Sequence, residues 1–186
     1  PMVPGHEVAG HVRQVGTSVS RFKPGDRVGV GPIVDSCRVC SACQDDEPQQ
    51  CERHPVFSYN STEMDEETPT FGGYSAEIVV PELFALKLPE NLSLESAAPL
   101  LCAGITTYTP LRRFNVGPGS HVAVMGLGGL GHMGVQLAAA LGAEVSVISK
   151  SARKRSDAIK LGAHDFILAQ DEDLAKHKRR FDVVLN

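Results

Sequence analysis

Residues 121–150 read HVAVMGLGGLGHMGVQLAAALGAEVSVISK, the part of the chain with the clearest secondary-structure pattern. A short apolar run at 121–125 precedes a group of glycines, and apolar residues then recur at helical spacing over 133–141. A second apolar run, rich in β-branched residues, follows at 144–148. The pattern predicts strand, glycine turn, helix and strand, the βαβ unit of a doubly wound parallel sheet.

The glycines of this unit favour dinucleotide binding. Gly126 allows a sharp turn off the strand, Gly128 leaves room for a pyrophosphate against the backbone, and Gly131 allows close packing of helix and strand. The helix N-terminus adds free N–H groups and the positive end of a dipole. The alternative is an ordinary turn in another doubly wound sheet. We assign the phosphate loop to Gly126, Gly128, Gly129, Leu130 and Gly131.

The end of the second strand favours NADP over NAD. NAD-binding folds place an acid about 20 residues beyond the glycines to bond the ribose 2′-hydroxyl, whereas a 2′-phosphate needs hydroxyls and cations. No acid occurs here before Asp157. The alternative is a set of solvated charges that opens the next helix. The residues predicted to contact the 2′-phosphate are Ser149, Lys150, Ser151 and Lys154, with Arg153 beside them.

Composition indicates a globular protein and excludes several classes of function. The chain has 186 residues, 42% of them hydrophobic, and a net charge of -4. This charge gives no case for binding nucleic acid or an anionic membrane, and no apolar run reaches the roughly 18 residues of a membrane span. The five cysteines are odd in number and mostly clustered, which suits metal binding in the cytoplasm better than a disulfide framework.

Residues 1–104 are predicted to form a β-rich, barrel-like domain, and residues 105–186 a Rossmann domain. The first part lacks long helical periodicity and is punctuated by Gly and Pro, and its runs at 6–15, 26–30, 74–80 and 84–88 are typical of β-strands. The second part continues with a predicted helix at 152–161, a strand at 165–168, a helix at 171–179 and a strand at 181–186.

A compact group of cysteines has the spacing C-x2-C-x2-C-x7-C within a lobe at 37–51. Four closely spaced thiolates supply a tetrahedral set of soft ligands for zinc, and a filled set leaves no position for substrate. We therefore expect a structural zinc that folds its own lobe. The alternative is a set of free or redox-active thiols. The ligands are Cys37, Cys40, Cys43 and Cys51.

A second metal site is suggested only weakly by the residues themselves. His6 is followed by the acid Glu7, and the fifth cysteine, Cys102, lies far along the chain. By spacing alone, a single His is more often a core residue and a single Cys a small buried hydrophobe.

Several motifs in order resemble one known family. Residues 5–19, GHEVAGHVRQVGTSV, fit the zinc alcohol dehydrogenase signature G-H-E-x2-G-x5-G-x2-V, and the four-cysteine lobe, CAGITTY at 102–108 and the glycine loop follow. Over essentially its whole length the chain resembles the zinc-dependent medium-chain dehydrogenase/reductase superfamily, and within it the cinnamyl alcohol dehydrogenase group.

The resemblance implies a GroES-like catalytic domain joined to a Rossmann domain, with substrate between them. The positions matching His6 and Cys102 are ligands of a catalytic zinc, Glu7 matches a residue beside that metal, and Thr106 matches one near the nicotinamide. The implied reaction is reversible hydride transfer between NADP(H) and a primary alcohol or aldehyde, with two zinc ions per complete chain. Family members are commonly homodimers.

The ends of the chain suggest a segment of a longer polypeptide. It begins at Pro1 without an initiator Met and ends on the apolar run FDVVLN, which would leave an exposed sheet edge. The third catalytic ligand and the proton relay of the family would precede Pro1. We therefore expect the isolated segment to be inactive.

Two other functions stay open at this point. One is a zinc-free quinone or enoyl reductase of the same architecture, against which the two predicted metal sites argue. The other is a non-catalytic module in which the zinc lobe serves interaction and the nucleotide is a structural ligand or redox sensor.

Overall fold

The structure is a computed structural model that describes residues 2–170 and 176–186. It divides into two compact units, Pro1–Cys102 and Ala103–Asn186. Sequence analysis places the boundary near Gly104, and the division falls between Cys102 and Ala103.

The first unit is built from short antiparallel strands. They are β1 (Val8–His11), β2 (Arg27–Val30), β3 (Ile33–Asp35), β4 (Val56–Phe57) and β5 (Ala85–Lys87). Strand β2 is central and pairs with β1 on one side and β5 on the other, while β3 and β4 form a separate hairpin. Val30, Val34 and Val56, from three of these strands, form a small buried cluster.

Short helices complete this unit. They are α1 (Ser41–Gln44), α2 (Leu94–Ala97) and three 3-10 turns at Pro48–Gln50, Glu82–Phe84 and Ala98–Leu101. The first of them and the first 3-10 turn lie in the loop between β3 and β4. The Ser93 hydroxyl accepts a hydrogen bond from the Ser96 N–H and so caps α2.

The prediction of a strand over residues 74–80 was wrong. The segment alternates as a strand would, with Ile78 and Val80 packed on the buried cluster and Val79 99% exposed. Its backbone nevertheless joins no strand of the described chain. The Ser75 hydroxyl shares its one hydrogen between the carbonyls of Gly72 and Glu77, a local side-chain to backbone contact that is typical of turns. The run at 6–15 is likewise a strand only over Val8–His11, whereas the runs at 26–30 and 84–88 are confirmed as β2 and β5.

The second unit is a parallel sheet with helices, as the repeating pattern predicts. The strand order is β8-β7-β6-β9, and every pair is parallel. The strands are β6 (His121–Met125), β7 (Glu144–Ser149), β8 (Asp165–Leu168) and β9 (Val183–Leu185). The helices are α3 (Ala103–Arg113), α4 (Gly129–Ala140) and α5 (Arg155–Lys160), the last preceded by a 3-10 turn at Ala152–Lys154.

The predicted βαβ unit and the elements at 152–161, 165–168 and 181–186 are confirmed. Of the predicted helix at 171–179, residues 171–175 lie outside the described residues and the rest form a turn. The strands are apolar because helices cover the sheet: Val122, Val145 and Val147 are fully buried. Gly134 of α4 faces Leu185 and Thr107, and its lack of a side chain allows the close approach.

The longest helix of the described residues, α4, has 12 residues. Within these residues, therefore, no helix combines the length and the apolar character that crossing a bilayer requires.

The contact between Gly131 and the glycine turn predicts a sharp difference between two neighbouring substitutions. A Cβ at Gly131 would collide with the carbonyl oxygen of Gly126, whereas a Cβ at Gly129 would meet no atom within 4 Å. We expect Gly131→Ala to lower the free energy of unfolding by about 1–3 kcal/mol because the helix or the turn must shift. Gly129→Ala serves as the control and should be neutral or stabilising.

Equilibrium urea denaturation of the two variants measures this difference. Equal stabilities would contradict the close packing of α4 on the turn.

Candidate functional site

The four-cysteine lobe is the loop that connects β3 to β4. The sulfur atoms of its four cysteines lie within 4.8 Å of one another, and the Sγ atoms of Cys37 and Cys43 are 3.9 Å apart. Cys51 is buried and the other three are half-buried. The four thiols form no disulfide in the described structure. The predicted ligands Cys37, Cys40, Cys43 and Cys51 are therefore brought together.

Backbone N–H groups point at the sulfur atoms of this lobe. The N–H of Cys37 donates to Cys51 Sγ at 3.5 Å, that of Cys40 to Cys37 Sγ at 3.4 Å, and that of Glu52 to Cys40 Sγ at 3.5 Å. The bond from the Cys37 N–H is the largest of several hydrogen bonds that together lower the pKa of Cys51 to about 6, and the bond from the Glu52 N–H is the largest cause that lowers the pKa of Cys40. Such donors stabilise thiolates, the form that binds a metal ion.

Cys43 behaves differently. Its hydrogen bond with the Ser36 hydroxyl, 3.3 Å away, lowers its pKa, but desolvation and the neighbouring thiols outweigh that bond and raise the pKa to about 11. Four anionic sulfurs at these distances repel one another, and a divalent cation is the natural counter-charge. Four thiol ligands with N–H donors around them fit a closed zinc site.

The turn that carries the first two cysteines is held by an ion pair. Arg38 lies in the left-handed region at φ 60, and its Nε and Nη2 donate to Asp35 Oδ1 at 3.0 and 2.7 Å. The same carboxylate oxygen accepts the N–H of Ser36. The sequence contains no clear signal for this pair, because two opposite charges three residues apart occur in many local structures.

A second group of metal-binding side chains forms in the first unit from His6, Glu7 and Cys102. One nitrogen, one carboxylate oxygen and one sulfur from these residues lie within 4.8 Å of one another. His6 and Cys102 are half-buried and Glu7 is exposed. The cluster offers three donor atoms of different elements. Three protein ligands fit a metal site that keeps a position for another ligand.

His6 reaches this cluster through an unpredicted backbone pairing. Residues 3–5 run beside residues 72–74, with the carbonyls of Val3, Pro4 and Gly5 accepting N–H groups at 2.7, 2.9 and 3.0 Å. Gly5 has a φ of 113, and a side chain there would meet the backbone of Gly73 and Tyr74 at 2.9 Å. The glycine before His6 is therefore explained by the backbone, because only glycine fits this position.

Cys102 reaches the cluster through the 3-10 turn that precedes it. A Cβ at Gly31, just after β2, would lie 3.0 Å from the carbonyl oxygen of Leu101, and the Leu101 side chain packs on Gly29. The glycines allow residue 101 to approach the strand closely, and residue 102 then follows in an irregular conformation with φ -133 and ψ -71. Sequence spacing contains no signal for this approach.

Thr106 lies on α3 in the second unit and is exposed. Its predicted place near a nicotinamide stays a prediction.

The predicted phosphate loop forms an open helix N-terminus. Gly126 turns off β6 with φ 84, and its N–H donates to the Ile148 carbonyl at 2.8 Å. Gly128 caps α4 without a side-chain hydrogen bond, and nothing lies within 4 Å of a Cβ built at Gly128 or Gly129. The free N–H groups and the open space above them suit a pyrophosphate. Leu130 is exposed on the first turn.

The end of β7 brings hydroxyls and a cation to this loop. Ser149 is buried, and its hydroxyl accepts the N–H of Ser151 at 3.2 Å. The ammonium of Lys154 donates to the carbonyl of Leu127, within the glycine turn, at 2.9 Å. Lys150 is exposed beside them. The contact between Lys154 and the turn could not be read from the sequence, although the basic character of 150–154 could.

Two family models match the chain. The model described as "Alcohol dehydrogenase GroES-like domain" covers residues 1–90, and the one described as "Zinc-binding dehydrogenase" covers residues 129–186.

Individual proteins of this family are similar over nearly the whole chain. A probable formaldehyde dehydrogenase of Bacillus subtilis is 51% identical over 100% of this chain and 53% of its own length, and an NADP-dependent alcohol dehydrogenase C 1 of Mycolicibacterium smegmatis is 53% identical over 100% and 54%. The chain thus spans about half the length of these relatives.

Solved structures agree with the relatives. A cinnamyl alcohol dehydrogenase of Sorghum bicolor superposes with a TM-score of 0.95 at 44% identity, covering 99% of this chain and 53% of the other. A cinnamyl alcohol dehydrogenase of Helicobacter pylori, complexed with NADP(H), gives a TM-score of 0.85 at 48% identity over 89% and 48%. With a GroES-like domain, a Rossmann-type parallel sheet and these relatives, the chain belongs to the zinc-dependent alcohol dehydrogenase family of the medium-chain dehydrogenase/reductase superfamily.

Proposed function

We propose that these residues serve a zinc-dependent oxidoreductase that transfers a hydride reversibly between NADP(H) and a primary alcohol or aldehyde. The observation that carries the proposal is the cluster of His6, Glu7 and Cys102, whose donor atoms lie within 4.8 Å of one another although Cys102 is far from the other two residues in sequence. The cinnamyl alcohol and NADP-dependent alcohol dehydrogenases that the chain resembles support the substrate class and the cofactor.

The residues of the first unit would hold the metal ion. His6 offers a ring nitrogen, Cys102 a thiolate and Glu7 a carboxylate oxygen at the edge of the cluster. When bound, zinc supplies a Lewis acid that polarises a carbonyl oxygen and stabilises the negative charge that hydride transfer creates. The half-buried thiolate and imidazole fix where that oxygen must lie, and so orient the substrate.

The residues of the second unit would hold the dinucleotide. The N-terminus of α4 binds the pyrophosphate through its free N–H groups, with the bare backbone of Gly128 and Gly129 allowing contact. Ser149, Lys150, Ser151 and Lys154 bind the 2′-phosphate, and no carboxylate at the end of β7 repels it. Thr106 is proposed to contact the nicotinamide end.

The four-cysteine lobe is proposed to bind the second zinc, in a purely structural role. All four ligand positions are filled by sulfur, so no substrate oxygen can reach the metal. We assign the protein to a reducing, cytoplasmic compartment on the same ground, because these thiols must stay reduced.

Of the two alternatives, the zinc-free reductase accounts poorly for the cluster at His6. A reductase that polarises its substrate without metal has no use for an imidazole, a carboxylate and a thiol placed together. The non-catalytic module is compatible with the open helix N-terminus, but it gives no reason for a mixed donor set of His6, Glu7 and Cys102.

The assay that tests the proposed reaction follows NADPH oxidation with an aromatic and an aliphatic aldehyde. It compares the natural polypeptide that contains these residues with residues 1–186 alone, and we expect turnover in the former and little in the latter.

Cys102→Ser should abolish turnover while leaving NADPH affinity and the thermal transition unchanged, because it removes one metal ligand. Full activity of Cys102→Ser, or none in the unsubstituted protein, would contradict the proposal.

Lys154→Ala tests the preference for NADP. Loss of a charged contact to the 2′-phosphate should raise the Kd for NADPH by about ten to one hundredfold, with little change for NADH. Lys160→Ala, at the exposed end of α5, is the matched control and should change neither. Isothermal titration with both cofactors measures the effect, and an equal loss for NADPH and NADH would place the 2′-phosphate elsewhere.

Cys40→Ser tests the structural zinc. Removal of one of four ligands should release zinc from the lobe and lower the thermal stability of the first unit, because the metal contributes to folding directly. Cys102→Ser is the comparison, since it should leave the lobe zinc in place. Zinc analysis combined with thermal denaturation decides the case, and a Cys40→Ser protein that kept its zinc and its Tm would show that the lobe needs no metal.

A further inference from the structure

The base of the β3–β4 hairpin lies against the segment that carries His6. Ser58 directly follows β4, is 4% exposed, and its N–H donates to the carbonyl of Pro32 at 2.8 Å across the hairpin. Its hydroxyl donates to the carbonyl of Gly5 at 3.3 Å. That carbonyl therefore accepts two hydrogen bonds, one from Ser58 and one from the N–H of Gly73. The peptide unit immediately before His6 is thus held from two sides.

The next residue, Tyr59, holds the His6 ring. The two ring centroids are 5.9 Å apart with an interplanar angle of 29°, so the rings are stacked with an offset. Both side chains are half-buried. Stacking leaves the ring nitrogens free to bind and restricts rotation of the imidazole about its bond to the chain.

Two consecutive residues thus act on Gly5 and on His6, which follows it and belongs to the metal cluster. Ser58 fixes the backbone at Gly5 and Tyr59 fixes the ring at His6. A metal ligand that is already oriented loses little conformational freedom on binding, and partners outside the ligand set that orient a histidine raise metal affinity.

We propose that Ser58 and Tyr59 are positioning residues that orient His6 for metal binding. The inference rests on the proposed function, because it takes His6 as a metal ligand. The aromatic ring of Tyr59 is what contacts His6, so the phenol oxygen is not required, whereas the hydroxyl of Ser58 is the group that reaches Gly5.

Four variants separate these contributions. Tyr59→Leu removes the ring, Tyr59→Phe keeps it, and Ser58→Ala removes only the hydroxyl. Tyr108→Leu is the control for the loss of a tyrosine ring, since Tyr108 lies on α3 and contacts Arg112. The probe is cadmium substituted into the protein that contains these residues, because cadmium NMR gives separate resonances for a four-thiolate site and for a mixed site with a histidine ligand.

Titration with a chelator then measures the affinity of each site. We expect Tyr59→Leu and Ser58→Ala to lose the mixed-site resonance at chelator concentrations about tenfold lower than the unsubstituted protein. Tyr59→Phe and Tyr108→Leu should behave as the unsubstituted protein. The four-thiolate resonance should persist equally in all, which shows that the first unit is folded.

Three results would overturn the proposal. If the mixed-site resonance survived unchanged in both Tyr59→Leu and Ser58→Ala, these residues would not position His6. If both resonances were lost together, the residues would stabilise the unit as a whole. If the unsubstituted protein gave no mixed-site resonance at all, His6 would not be a metal ligand, and the proposed function would fail together with the inference.

Discussion

The hydrogen bond between the Ser58 N–H and the Pro32 carbonyl closes the base of the β3–β4 hairpin, and the arrangement of the first unit depends on that closure. The hairpin carries the four-cysteine lobe at its far end, between Asp35 and Val56. At its base, Gly31 lies against the Leu101 carbonyl, and Ser58 lies against the Gly5 carbonyl. One short hairpin therefore contacts the chain next to both His6 and Cys102. The two groups of metal-binding side chains share this support although they share no residue.

The second unit depends on a comparable backbone contact. Helix α4 begins where the bare Cα of Gly131 rests on the carbonyl of Gly126, so the helix N-terminus lies directly beyond the end of β6. The ammonium group of Lys154 bonds to the same turn through the Leu127 carbonyl. Backbone N–H donors and an ammonium group would therefore both be available to a phosphate group at this turn.

The two units differ in how much of their structure could be predicted from the sequence. In the βαβ unit, the strands at β6 and β7 and the helix α4 are predicted within a few residues, because each has a clear hydrophobic period and glycines between them. In the first unit the strands have only two to four residues, which is too short for an alternation of apolar and polar residues to be recognised. The run at 74–80 has the right alternation and no partner strand, and alternation alone cannot reveal that. Pairing between residues 3–5 and 72–74 is equally invisible before the fold is known.

The candidate sites divide in the same way. The four cysteines of the lobe are close in sequence, so their spacing alone predicts a metal site. His6 and Cys102 are brought together only by tertiary structure, and the family resemblance, not their spacing, led to them. The contacts of Lys154 with the glycine turn and of Tyr59 with His6 could not be predicted from the sequence. In both contacts, tertiary packing decides which groups become neighbours.

We propose that the protein holds two metal ions in chemically different surroundings, one closed by four sulfurs and one open and mixed. Metal analysis of the natural polypeptide, with X-ray absorption at the zinc edge to identify the ligand atoms, is the decisive measurement. We expect two zinc ions per chain, with an average coordination that combines a four-sulfur site and a site containing nitrogen. A single zinc bound only by sulfur, or no zinc, would contradict the proposal.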